Sequence, residues 1–196
     1  MNTVRREGDR LIGENTDGRG FLHCVRESGV DPRGKRIALL GAGGVARAIT
    51  VEPAPARAAE LAVINRSVEL GRTLAADLKS RAQAKARFQP WNATFTIGPE
   101  VDVWVDATSI GLYPDIDAEP AVELKSAQSD LPVCDVIPNP PETRLVRAAR
   151  AQGLNTVTGL PMLVYQGAIG FRMWTCQPVP EGPMKRALEQ AFGLTV

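Results

Sequence analysis

A run of small residues, Gly41-Ala42-Gly43-Gly44-Val45-Ala46, follows directly on the apolar stretch Arg36-Ile37-Ala38-Leu39-Leu40 and matches the spacing G-x-G-x-x-G/A. Each small residue does something a larger one would spoil. Gly41 permits a tight turn out of a strand, Gly43 lets backbone approach a pyrophosphate with no Cβ in the way, and Ala46 allows close helix–sheet packing. A helix starting there turns free N–H groups and the positive end of its dipole toward the phosphates. Gly-Ala-Gly-Gly alone is also an ordinary tight turn. The strand before it, the helix after it and a second apolar run at Leu61-Ala62-Val63-Ile64 favour a dinucleotide site.

The end of that second run discriminates between cofactors. NAD-binding folds tend to place an acidic residue there, about 20 residues beyond the glycines, to accept from the ribose hydroxyls. Here stand Asn65-Arg66-Ser67. A guanidinium makes bidentate, charge-assisted bonds to a phosphate, so Arg66 argues for the 2′-phosphate of NADP. The plain alternative is a solvated loop arginine.

Strand-like and helix-like segments alternate along the chain. Further apolar runs fall at Val101 to Val105, Leu131 to Ile137 and Asn155 to Val157. Between them Leu70, Leu74 and Leu78 recur every four residues behind Ser67, a candidate N-cap, and Leu145, Val146 and Ala149 mark another helix. The order predicts an α/β fold, a Rossmann-like parallel sheet with right-handed crossovers and helices on both faces. Pro53 and Pro55 each cost about 3 kcal/mol in a helix interior, so the helix after the glycines should break near Val51. Asn15 to Ser28 and Pro161 to Trp174 also read as helices, with apolar faces that suit packing against something further.

Composition removes several classes of function. A chain of 196 residues with a formal charge of +1 has no field to gather nucleic acid or an acidic membrane. No apolar run approaches the roughly 20 residues of a membrane helix, and Met1 to Arg10 is polar, so the expected location is cytoplasmic. Cys24, Cys134 and Cys176 are scattered and form no C-x-x-C pair, which suggests neither a disulfide framework nor a metal site.

Taken in order, Asn2-Thr3-Val4, Asn15-Thr16-Asp17-Gly18, Gly41 to Ala46, Asn65-Arg66-Ser67, Ala107-Thr108-Ser109-Ile110-Gly111-Leu112, Asn139-Pro140-Pro141-Glu142-Thr143 and Gly159-Leu160-Pro161-Met162-Leu163-Val164-Tyr165-Gln166-Gly167-Ala168 resemble shikimate dehydrogenases and their quinate/shikimate relatives. The resemblance spans essentially the whole chain. It implies NADP-linked hydride transfer between 3-dehydroshikimate and shikimate, with a small ring acid as partner. The family handles the proton with a lysine and an aspartate, the latter corresponding to Asp17. On residue type alone Asp17 reads equally as an acidic residue favoured at a helix N-terminus. Asn2, Asp17 and Gln166 match positions that bind substrate. Asn2 is otherwise a frayed terminus and Gln166 an exposed helix residue. Thr108, Ser109, Ile110, Val136, Gly159 and Met162 match positions around the nicotinamide half of the cofactor, with turn or core packing as the alternative for Ile110 and Val136.

Departures from the family pattern set further expectations. The domain that precedes the Asn-Thr segment in the family supplies the lysine and the hydroxyls for the substrate carboxylate, and Lys35 stands at the wrong end of a parallel sheet to replace them. Pro138 stands where many relatives have tyrosine, and Leu70 where some place a second basic residue. His23, beside Phe21 and Leu22, reads as surface or packing. The expected organisation is residues 1–30 as an interdomain segment, 31–160 as the NADP-binding domain and 161–196 as helices returning toward a substrate domain. On that expectation the chain binds NADP, turns over little, and exposes apolar surface that drives self-association or pairing with a separate substrate domain. A non-catalytic nucleotide-binding module, or an NADP reductase for another small cyclic alcohol or ketone, are the competing readings.

Overall fold

The computed structural model describes residues 1–50, 57–81 and 84–194. Its first elements are β1 (Thr3–Glu7) and β2 (Arg10–Glu14), an antiparallel hairpin closed by a two-residue loop in which Gly8 adopts φ 57°. α1 (Asp17–Glu27) follows. The expected alternation then begins with β3 (Arg36–Leu40), α2 (Gly44–Thr50), β4 (Glu60–Asn65), α3 (Val68–Arg81) and β5 (Ala86–Pro90). Next come β6 (Phe95–Thr96), β7 (Val103–Asp106), β8 (Val122–Glu123), β9 (Val133–Asp135), α4 (Arg144–Ala151) and β10 (Thr156–Val157). The last elements are the helices α5 (Gly159–Thr175) and α6 (Glu181–Ala191).

Six strands form one parallel sheet in the order β10-β9-β7-β3-β4-β5. The central strands are apolar on both sides because both faces are covered. Ile37, Leu39, Leu61, Val63 and Val105 point into a core shared with Phe21 and Val25 of α1, Ile49 of α2, and Leu74 and Leu78 of α3. Ala38, Leu40, Ile64 and Trp104 point the other way, onto Leu145 and Ala149 of α4 and onto Trp91 and Ile97 near the small β6–β8 sheet. Helices thus lie on both faces, as the alternating pattern requires.

Ser67 caps α3 through its Oγ, which accepts from the Leu70 N–H at 3.3 Å. α2 is observed as far as Thr50; the break expected near Val51 lies outside the described residues. α5 begins at Gly159 rather than at Pro161, because a proline in the first helical turn loses no intrahelical bond. It ends at Cys176, whose φ of 55° is a left-handed cap.

The expectation of exposed apolar faces on the flanking helices needs correction for α1. Its Phe21, Leu22 and Val25 are buried, because α1 packs on the sheet and on α5. On α5 only Leu163 and Trp174 stand exposed among the large apolar residues. No described helix is long and apolar enough to cross a membrane.

Candidate functional site

Parallel strands bring their carboxyl ends to one edge of the sheet, and ligands in such folds sit at that edge. Leu40, Ile64, Asp106 and Asp135 lie level in the ladder. The chain leaves β3 through Gly41, whose N–H donates to the Ile64 carbonyl at 2.8 Å and whose φ is 110°. A Cβ there would sit 2.7 Å from the Ala107 carbonyl oxygen, so only glycine fits. At Gly43 and Gly44 a Cβ would meet nothing within 4 Å: both face open space.

That open space is a groove of about 410 Å³. Gly41 to Val45 form one wall, Asn65, Arg66 and Trp91 one end, Ala107 to Ser109 with Leu112 the floor toward the other end, and Val136 to Pro138 the far side. Of the cofactor residues expected from sequence, Gly41, Ala42, Gly43, Gly44, Val45, Asn65, Arg66, Thr108, Ser109 and Val136 meet here. The others do not line it. Ala46, within α2, is fully buried, and Met162 is buried in the same core. Ser67 caps α3, and Ile110 packs against the core on the α4 side of the sheet. Gly159 lies behind the groove wall, where its Cβ would stand 2.3 Å from the Val136 oxygen; a side chain would push α5 off β9.

Sequence reasoning named none of Trp91, Ala107, Leu112, Ile137 and Pro138 as a cofactor residue, although all five line the groove. Trp91 stands one residue past β5, and β5 neighbours β4, so a tryptophan closing that strand falls beside Arg66. Leu70 and Arg72 lie on the first turns of α3; Leu70 is about half exposed and clear of the groove lining.

A second polar cluster forms where the hairpin meets α1 and α5. The Asn2 Nδ2 donates to Asp17 Oδ1 at 2.7 Å, to Thr16 Oγ1 at 3.0 Å and to Gln166 Oε1 at 3.4 Å. Its Oδ1 accepts from the Thr16 N–H at 2.9 Å, and the Thr16 hydroxyl donates to Gln166 Oε1 at 3.2 Å. The three residues expected to bind substrate therefore come together, from positions 2, 17 and 166, and Thr16 joins them. The cluster is possible because α1 and α5 pack closely: a Cβ on Gly20 would lie 2.8 Å from the Gln166 backbone nitrogen. α5 starts against Val136 at the groove and reaches Gln166 two turns later, about 10 Å along its axis. Among the described residues Asp17 has no ion-pair partner within 4 Å. Lys35 precedes β3, at the opposite edge of the sheet. His23 stacks on Tyr165 with ring centroids 4.1 Å apart and lies 3.4 Å from Glu27, in the seam between α1 and α5.

Beneath the groove two carboxyl groups are buried side by side. Asp106 and Asp135 are ladder partners on adjacent strands, so their side chains leave the same face about 5 Å apart at Cα. Asp135 is satisfied: its Oδ1 accepts from the Ile137 N–H at 2.9 Å and its Oδ2 from the Thr143 hydroxyl at 2.5 Å. Thr143 in turn caps α4 through the Val146 N–H. Asp106 Oδ1 accepts from the Thr108 N–H at 2.8 Å, but its Oδ2 is buried without a partner among the described residues. Burial, aided by the charge of Asp135, pushes the Asp106 carboxyl up to about 7. Burial also raises Asp135, against the hydrogen bonds from Thr143 and Ile137. Both carboxyls hold turns that line the groove, Asp106 through Thr108 and Asp135 through Ile137.

Residues 159–189 match the model of the shikimate 5′-dehydrogenase C-terminal domain. The shikimate dehydrogenase (NADP(+)) of Methanopyrus kandleri is 41% identical over 196 residues, covering 96% of this chain and 66% of its own length. The chain thus spans about 66% of the curated relatives it matches. Among solved structures, the ligand-free 5-ketofructose reductase of a Gluconobacter species superposes with TM-score 0.89 at 42% identity, over 96% of this chain and 68% of that one. A shikimate dehydrogenase in complex with NADP+ gives TM-score 0.88 at 34% identity, over 96% and 66%. The shikimate 5-dehydrogenase of Thermus thermophilus, in complex with NADP(H) and shikimate, gives 0.78 at 32% identity, over 96% and 67%. With 32% identity over two thirds of the Thermus thermophilus shikimate 5-dehydrogenase, the chain belongs to the shikimate dehydrogenase family.

Proposed function

We propose that this chain is the nucleotide-binding part of an NADP-linked oxidoreductase that interconverts a ring ketone and alcohol of the 3-dehydroshikimate and shikimate type. The observation that carries the reading is the groove itself: bare backbone at Gly43 and Gly44 beside an exposed guanidinium at Arg66, unpaired among the described residues. Those donors suit a pyrophosphate and a ribose phosphate, and no described acidic side chain lines the groove to repel them. The nicotinamide, when bound, supplies or accepts the hydride.

In this reading residues 31–160 hold the cofactor, Thr108, Ser109 and Val136 flank its nicotinamide half, and residues 1–30 and 161–196 face the substrate. Asn2, Asp17 and Gln166 bind and orient substrate hydroxyls, the amides because they both donate and accept. No described lysine accompanies Asp17, so the chain's own residues bind and position, with Asp17 as the carboxylate of the proton-transfer pair.

A second reading rests on the 5-ketofructose reductase likeness. The Asn2–Thr16–Asp17–Gln166 cluster contains hydroxyl-binding groups and no cation for a carboxylate, so it also fits a polyhydroxy ketone. Saturation-transfer NMR with shikimate, quinate and 5-ketofructose, each with NADP+ present, separates the two. The expected result is contact with shikimate that Gln166→Ala abolishes. Preference for 5-ketofructose would favour the second reading, and contact indifferent to Gln166→Ala would remove the cluster from either.

A further inference from the structure

Resting on the cofactor reading above, we propose that Trp91 is a positioning residue for phosphate selectivity, holding Arg66 ready to receive the 2′-phosphate of the cofactor. Arg66 is exposed and forms no ion pair or side-chain hydrogen bond among the described residues; free in solvent, a long side chain of this kind samples many rotamers. Its guanidinium carbon instead lies 5.7 Å from the centre of the Trp91 ring, within the range of a cation–π contact. This contact engages no N–H in a hydrogen bond to a protein acceptor, so the guanidinium donors remain available for a phosphate.

The platform is rigid. Trp91 is 8% exposed and packs in the core beneath that face of the sheet. Its backbone N–H donates to the Asn65 carbonyl at 3.0 Å, which ties it to the residue before Arg66. Its Nε1–H donates to the Ala121 carbonyl at 3.3 Å, which fixes the ring's rotation. Trp91 thus lines the groove at the Arg66 end, with its polar contacts committed to the fold. An arginine preset in this way loses less freedom when the phosphate arrives, and that saving applies only to ligands that carry the phosphate.

The test uses 2′,5′-ADP and 5′-AMP as probes, titrated calorimetrically against the full chain and its variants, with no dependence on turnover. Trp91→Leu is expected to weaken 2′,5′-ADP about fivefold to tenfold and to change 5′-AMP by less than about twofold. In an Arg66→Ala background the same substitution should change 2′,5′-ADP by less than about twofold, because its partner is gone. Should Trp91→Leu not fold, Trp91→Phe decides: its phenyl face, a weaker cation partner, costs 2′,5′-ADP about twofold to threefold and spares 5′-AMP. Equal weakening of both probes would mean that the indole meets the adenine or merely supports the fold, and no weakening of either would mean that Arg66 does not depend on it; both results overturn the proposal. If Arg66→Ala itself leaves 2′,5′-ADP binding intact, the cofactor reading fails. If it abolishes binding while Trp91→Leu does not weaken it selectively, only the role of Trp91 falls.

Discussion

At one end of the groove a guanidinium stands in solvent on a buried indole, and at the other two carboxyl groups lie under the lining turns with almost no exposure. Both ends present charge-bearing residues at the carboxyl edge of the same sheet, yet the cost of holding them differs. An exposed cation keeps its hydration, so Arg66 needs only orientation. A buried carboxylate loses hydration and must find donors or keep a proton. Asp135 finds two donors, whereas Asp106 finds one and is pushed up to about 7. On the proposed reading the Arg66 end meets a ligand's charge, while the Asp106 end holds the lining turns in shape.

The sharpest way to break this contrast is at the turn that joins both ends. Gly41→Ala places a Cβ against the Ala107 carbonyl at a φ of 110°. The expected cost is about 3 kcal/mol, a fall in Tm of roughly 10 °C by circular dichroism. A variant that melts like the parent would mean the turn can relax, and the close approach of β3 and β7 would lose its importance.

A smaller effect should isolate the Asp106 end. The Asp106 carboxyl ordinarily titrates near 3.8 and is raised to about 7 in the fold, so the folded chain retains a proton that the unfolded chain releases. Its contribution to stability is complete below about pH 4, declines as pH rises, and is gone once pH passes about 7. Asp106→Asn removes that titration: unfolding by urea should lose part of its downward slope between pH 4 and 7, the remainder belonging to Asp135, and at pH 8 the variant should be more stable by about 1–2 kcal/mol. The surface pairs Asp31–Arg33 and Asp102–Arg36, whose aspartates are held down to about 2 by their arginines, add an opposite slope near pH 4, but they add it equally to parent and variant. An unchanged slope in Asp106→Asn would mean that Asp106 retains no proton in the fold.

What the sequence disclosed follows the same division. The glycine turn was legible because its small residues stand at fixed spacing between an apolar strand and a helix, and Arg66 because it ends the next strand. The parallel order of the central strands was legible from apolar runs that both faces of the sheet require. The β1–β2 hairpin was not, since its strands alternate charged residues with few buried ones. β5 escaped for a related reason: at the sheet edge, Ala86-Arg87-Phe88-Gln89-Pro90 needs little apolar surface and tolerates a terminal proline. With β5 unread, Trp91 had no visible reason to sit beside Arg66, 25 positions earlier. The carboxyl pair left a signal that spacing alone does not flag: two apolar strands, Val103-Trp104-Val105 and Val133-Cys134, each end in aspartate. The Asn2–Asp17–Gln166 cluster was reached only through family resemblance, because its members meet by the packing of α1 on α5.

The most direct test of the account is equilibrium titration of the chain with NADPH and NADH, followed by fluorescence, for the parent and for Arg66→Glu. The account requires a saturable NADPH complex at least about tenfold tighter than that with NADH, a preference that Arg66→Glu erases by weakening NADPH alone. No saturable complex, or an NADPH affinity untouched by reversing the charge at Arg66, would contradict it.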